Sequence, residues 1–154
     1  MIAVIQRVLS ASVTVDGDKK ADSREGLLVL LGVSVNDNED DVKLLCDKIS
    51  KLRVFCDEND KMNKSVCDIN GTVTVVPNFT LMASYKKGNR PDYMMSAKPD
   101  RANELFDYFC DYLKPIVPRV QTGIFKADMK VELINDGPVT IVMDSRVLRG
   151  ERDI

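Results

Sequence analysis

Leu27-Leu28-Val29-Leu30-Leu31-Gly32-Val33-Ser34-Val35 is the stretch whose reading decides the fold. A run this apolar, with little alternation, is what a strand buried on both faces needs. It is far shorter than the roughly 20 apolar residues that cross a membrane. It must therefore be covered by other elements of a packed domain. Directly after it the period changes. Val42, Leu45, Cys46, Ile49 and Leu52 recur at helical spacing, with Asn38 placed to cap the helix and Glu39, Asp40 and Asp41 favoured at its positive end. Upstream, residues 2–8 and 10–15 read as strands, and Asp16-Gly17-Asp18 marks a turn.

Downstream, Arg53–Cys56 reads as a short strand and Asp57–Lys64 as a polar turn. Asn70-Gly71 is a turn, and Thr72–Val76 a strand that ends at Pro77. Residues 82–98 read as a long loop, of a length that usually carries function or moves. Pro99–Leu113 reads as a second helix with an apolar stripe and proline at its first position. Lys98 is a poor cap, so Ser96 or water is expected to help. Met129–Ile134 and Val139–Asp144 alternate as strands around Asn135-Asp136-Gly137-Pro138. Ser145–Ile154, with Arg146, Arg149 and Arg152, reads as a loosely held tail. The expected architecture is one α+β domain over residues 1–144, with a mostly antiparallel, barrel-like sheet and two main helices, followed by the tail at 145–154.

Composition narrows the chemistry. The 154 residues, 44% apolar and 30% charged, suffice for one domain with its own core. The N-terminus lacks a signal-peptide layout, so a cytoplasmic, non-membrane protein is the expectation. There is no histidine. That removes Ser-His-Asp and Cys-His machinery and imidazole metal sites. Cys46, Cys56, Cys67 and Cys110 match no zinc spacing and read as free, core-filling thiols. The net charge of −2 confines any nucleic-acid contact to a local patch. Lys86, Lys87, Arg90, Lys98 and Arg101 form either such a patch or a solvated polar loop.

Two segments stand out: Pro77-Asn78-Phe79-Thr80-Leu81 at a strand end, and Asn135-Asp136-Gly137-Pro138-Val139-Thr140 between strands. Locally each has an ordinary explanation. Asp136-Gly137 is a hairpin signal and Thr80 a half-buried strand residue. The collinear motifs say more. Ile5-Gln6-Arg7-Val8, Ala11-Ser12-Val13, Gly26 to Val33, Asn89-Arg90-Pro91, Pro99-Asp100-Arg101-Ala102, Gln121-Thr122-Gly123, Ala127-Asp128-Met129 and Asn135 to Thr140 span nearly the whole chain. Together they resemble the D-aminoacyl-tRNA deacylases of the bacterial and eukaryotic type.

The resemblance implies a homodimer that hydrolyses the ester of D-aminoacyl-tRNA, and of glycyl-tRNA mischarged on alanine tRNA, with no cofactor and no metal. It implies a cis Gly137-Pro138 bond inserted into the partner's pocket. There it excludes L side chains by a clash, whereas glycine has no side chain to exclude. Phe79 and Thr80 match the second half of the family's Ser-Gln-Phe-Thr segment, and Pro77-Asn78 replaces its first half. A related animal-type family also carries proline there, so the departure opens relaxed selectivity toward glycyl- or L-alanyl-tRNA. By resemblance the catalytic segment is Asn78, Phe79 and Thr80. Met129 packs near the tRNA's 3′-terminal adenosine, and Arg7 braces the Gly-Pro segment. Lys86, Lys87 and Arg90 are candidate phosphate contacts. Two chemistries stay open: Thr80 as nucleophile, or positioning and oxyanion stabilisation that leave the work to the substrate's 2′-hydroxyl and water. A non-catalytic dimeric tRNA-binding module is the rival from another class.

Overall fold

The computed structural model describes residues 1–151. Eight strands, two long helices and one short helix follow in the order β1 (Ile2–Val15), β2 (Asp18–Ser23), β3 (Gly26–Gly32), α1 (Glu39–Ser50), β4 (Phe55–Cys56), β5 (Met62–Lys64), β6 (Thr72–Pro77), α2 (Pro99–Leu113), β7 (Arg119–Thr122), β8 (Met129–Asp144) and α3 (Ser145–Leu148). The two upstream strands expected from the sequence are one strand. β1 runs unbroken past a register shift near Leu9, pairing along one edge with β3 and then β2, and along the other with β8.

Beyond β3 the sheet continues in parallel through β6 to β7. It then nearly closes on itself. The Gln121 side chain accepts from the Asp22 N–H (2.8 Å) and donates to the Asp22 carbonyl (3.0 Å), so an amide takes the place of a backbone ladder between β7 and β2. Ser23 and Thr74 add a buried hydroxyl pair at 3.0 Å. The sheet is therefore barrel-like and mostly antiparallel, with a parallel segment through β6.

β3 is buried on both faces. Leu27, Val29 and Leu31 join the core under α1 and α2, while Leu28 and Leu30 face a second cluster with Val8, Val13 and Val76. Truncating such a residue costs about 2–5 kcal/mol, because the cavity left behind collapses only in part. Helix α1 is capped by Asn38, with Asp41 returning a bond to the Asn38 N–H at 2.9 Å. Helix α2 begins at Pro99 without a side-chain cap, and Ser96 supplies none.

Three expectations need correction. Asp136-Gly137 is not a hairpin tip. Residues 129–144 form a single strand, and both halves pair with β1. Val8 faces Asn135 and Gln6 faces Thr140, so Asp136–Val139 loops out opposite the single residue Arg7. The tail is also not loose over its first residues. The buried Ser145 hydroxyl accepts from the Met1 amino group at 2.8 Å, and Arg149 pairs at 3.0 Å with the fully buried Asp41. Arg152 lies outside the described residues. Lastly, Cys56 is exposed rather than core-filling. Among the described residues no helix is long and apolar enough to cross a membrane.

Candidate functional site

The site begins where β6 stops. Pro77 is the last residue of the ladder, opposite Leu31. It has no N–H, so the next one takes over: the Asn78 N–H donates to the Leu31 carbonyl at 2.8 Å. The chain then turns through a short 3-10 segment, Phe79–Met82, closed by Leu81 N–H to Asn78 O (3.3 Å) and Ala83 N–H to Thr80 O (3.1 Å). This turn sits directly on the end of β3. A Cβ built on Gly32 would lie 2.9 Å from the Leu81 Cβ and 3.1 Å from the Asn78 carbonyl oxygen. Only glycine lets the two backbones approach so closely.

The Thr80 hydroxyl donates to the side-chain carbonyl of Asn78. The Asn78 amide nitrogen has no acceptor among the described residues. The N–H groups of Phe79 and Thr80, the first of their turn, also have no partner among the described residues. Phe79 is 58% exposed, and its ring meets Tyr93 edge-on at 5.1 Å.

Two cavities flank this turn, of about 440 and 530 Å³. Both are lined by Pro77, Asn78, Ala127 and Met129, which form the ridge between them. Phe79, Ala102, Phe125 and Lys126 belong to the first, and Thr80, Gln6 and Leu133 to the second. Gly123 makes room for the ridge, since a Cβ there would lie 2.7 Å from the Met129 sulfur.

The looped-out residues of β8 form a separate structure. Arg7 donates from Nε to the Asp136 carbonyl (3.2 Å), lies 3.0 Å from the Asp136 carboxylate, and donates from Nη1 to the Val54 carbonyl (2.6 Å). Asn135 spans the base, accepting from the Val139 N–H (3.0 Å) and donating to Thr140 Oγ1 (2.8 Å). Gly137 has a φ of 121°, and the Gly137-Pro138 bond is cis. Both residues are exposed, and neither lines either cavity.

The fold thus brings Pro77, Asn78, Phe79, Thr80 and Met129 together, and sets Arg7 against the Gly137-Pro138 loop as a second group. Gln6 links the two. It lines the larger cavity and donates to Thr140 at 3.4 Å. Lys86, Lys87 and Arg90 stand apart on a finger closed by a Ser84–Asp92 bridge and turning at Gly88. The sequence reading did not assign Gln6, Phe125 or Lys126 to the site. Gln6 sits inside a motif already noted, and Ala127-Asp128-Met129 follows Phe125 and Lys126 directly.

Comparison with known proteins finds relatives over nearly the whole chain. The family model described as D-Tyr-tRNA(Tyr) deacylase matches residues 4–144. A D-aminoacyl-tRNA deacylase from Flavobacterium johnsoniae is 56% identical over 147 residues, covering 95% of this chain and 98% of the relative. Another from Caldicellulosiruptor saccharolyticus is 49% identical, with the same coverage of both chains. Among solved structures, one described as c-Myc DNA Unwinding Element Binding Protein has a TM-score of 0.89 and 39% identity, covering 94% of this chain and 98% of that one. A probable eukaryotic D-amino acid tRNA deacylase, at 14% identity, shares the fold with a TM-score of 0.80, over 92% of this chain and 97% of its own. The fold is that of the deacylases, hydrolases of an ester bond. The chain belongs to the D-Tyr-tRNA(Tyr) deacylase family.

Proposed function

We propose that this protein hydrolyses the ester of D-aminoacyl-tRNA, and also of glycyl-tRNA, in the cytoplasm, as a homodimer whose sites are completed across the subunit boundary. The observation that carries the reading is the Asn78–Thr80 turn, standing where two cavities meet with unspent hydrogen-bond donors. The smaller cavity, walled by Phe79, Phe125 and Met129, suits the terminal adenosine. The larger one, with Thr80 and Gln6, is left for the aminoacyl end and for the Gly137-Pro138 loop of a second subunit. In its own chain that loop is exposed and lines neither cavity, which favours a role in trans. Seated there it would fill the side an L side chain needs, while a D side chain or a hydrogen escapes the clash. Lys86, Lys87 and Arg90 on the finger would meet backbone phosphates.

Thr80 serves here by position rather than as the nucleophile. A hydroxyl needs a base to attack an ester. The hydrogen-bond partner of Thr80 is an amide oxygen, which does not take a proton near neutral pH. The reading therefore leaves bond breaking to a water assisted by the 2′-hydroxyl of the adenosine. The N–H groups of Phe79 and Thr80 stabilise the oxyanion, and Asn78 holds the ester in place.

Two rivals have specific support. Pro77-Asn78 in place of Ser-Gln favours an editor with relaxed specificity for glycyl- and L-alanyl-tRNA. A non-catalytic dimeric tRNA-binding module fits the name of the 39% identical structure, which describes a nucleic-acid-binding protein. Measuring hydrolysis of D-Tyr-, Gly- and L-Ala-tRNA separates the three. The proposal expects the first two to be cleaved far above the spontaneous rate and the third spared. Cleavage of L-Ala-tRNA supports the relaxed editor. Binding with no cleavage of any substrate supports the module and overturns the proposal.

A further inference from the structure

Lys126 adopts a backbone conformation that lysine disfavours, at a place where its own chain makes no use of its charge. Residues 124–127 form a turn closed by the Ala127 N–H donating to the Ile124 carbonyl at 3.2 Å. Lys126 is the third residue of that turn and has a φ of 63°. A third turn position with positive φ favours glycine or asparagine, because a longer side chain gains nothing locally and its Cβ crowds the backbone. The exposed ammonium forms no ion pair or hydrogen bond among the described residues. Strained positions of this kind are concentrated at functional sites, where the side chain is put to use.

The cavity next to it indicates the use. Lys126 lines the 440 Å³ cavity and, among the described residues, is the one charged residue that does so. Asn78 is the one other polar lining side chain, and the remainder are proline, alanine, phenylalanine and methionine. Resting on the aminoacyl-tRNA reading above, we propose that the Lys126 ammonium binds the phosphodiester joining the terminal adenosine to the rest of the RNA. A terminal nucleotide brings an apolar base face, a neutral ribose and one negative charge, on its 5′ phosphate. The cavity offers apolar walls, one amide and one cation. The other charge near the ester is the aminoacyl ammonium, which a lysine would repel. Lys126 therefore marks the phosphate end of the cavity and sets which way round the nucleotide lies.

The test uses Lys126→Asn, whose new residue tolerates positive φ, and Lys126→Met, which keeps the apolar stem without the charge. Each is assayed for D-Tyr-tRNA hydrolysis, and for the Kd of a tRNA carrying D-tyrosine through a non-hydrolysable amide, across a salt series. Both variants are expected to raise KM and Kd about fivefold, a loss typical of one solvated ion pair at the strong end of its range. kcat should stay within about twofold, and the salt slope of log Kd should fall by about 0.7, one phosphate contact on a single strand. Lys126→Asn should melt no lower than the wild type. Wild-type KM, Kd and salt slope in both variants would overturn the assignment, as would a gain in Tm with affinity unchanged, the mark of a merely structural lysine. A wild type that cleaves nothing sinks the deacylase reading instead, and the Kd arm still judges Lys126 on its own.

Discussion

The Asn78–Met82 turn and the Asp136–Val139 loop both interrupt the barrel, and they are held in opposite ways. The turn is packed against β3 so closely that no Cβ fits on Gly32 beside Leu81 and the Asn78 carbonyl. Among the described residues the loop is held at its base, by Arg7 and Asn135, and its Gly137-Pro138 tip is exposed. One region is held in place by its own chain. The other, in the proposed dimer, is finished by a second copy. The contrast teaches that one segment can be held by packing alone, whereas another is stiff at the root and free at the tip, as the proposed gate requires.

The largest expected effect breaks the floor. Gly32→Ala places a Cβ where Leu81 and Asn78 already sit, so the turn must move. Overpacking of this kind costs about 1–3 kcal/mol, and a shift near 1 Å at a reacting centre costs about 100-fold in rate. Hydrolysis of D-Tyr-tRNA should fall by that order with the protein still folded by circular dichroism. Near-normal activity would show that the turn tolerates displacement.

Loosening the root of the loop should matter less. Arg7→Met removes three interactions with the Asp136 and Val54 groups. It should cost about 1–3 kcal/mol of stability, and the ratio of D- to L-Tyr-tRNA hydrolysis should narrow more than the D rate falls. A ratio that holds while the D rate collapses would place Arg7 in the floor instead. On the finger, Lys86→Ala with Lys87→Ala should leave kcat near normal, raise KM, and lower the salt slope by up to about 0.7 per lysine. An unchanged slope would make the finger a solvated loop.

The smallest effect concerns the end of β8. Burial raises the Asp144 carboxyl, but hydrogen bonds from Arg146 and the positive N-terminus outweigh it, and its pKa lies below the ordinary value. A depressed carboxylate stabilises the fold above its unfolded pKa of about 4 and loses that contribution as pH falls through the folded value. Arg146→Ala should therefore lower Tm at pH 7, and by less at a pH below the folded value. The loss should stay under about 1 kcal/mol, because Arg146 is partly exposed to solvent. An equal loss at both pH values would point to lost packing.

Much of this was legible in the sequence where the signal is local. The double-sided burial of β3 follows from an unalternating apolar run, and α1 and α2 from their period and from Asn38 and Pro99. What escaped is what depends on distant partners. Asp136-Gly137 has the same local chemistry at a hairpin tip as in a loop bulging from one strand. Pairing with β1, more than a hundred residues upstream, decides between them. The tail reads as loose because the group that holds Arg149 is Asp41, 108 positions away. Likewise the Phe79–Thr80 segment is ordinary by pattern. It comes to border two cavities only when Met129 and Ala127 are brought beside it by the fold.

The measurement that bears most directly on the central claim is the hydrolysis of D-Tyr-tRNA and L-Tyr-tRNA by the wild type beside Pro138→Ala. The account predicts that the wild type cleaves the D ester and spares the L ester, and that shortening the tip of the loop lets L-Tyr-tRNA be cleaved. Equal wild-type rates on both hands, or a Pro138→Ala variant as selective as its parent, would contradict it.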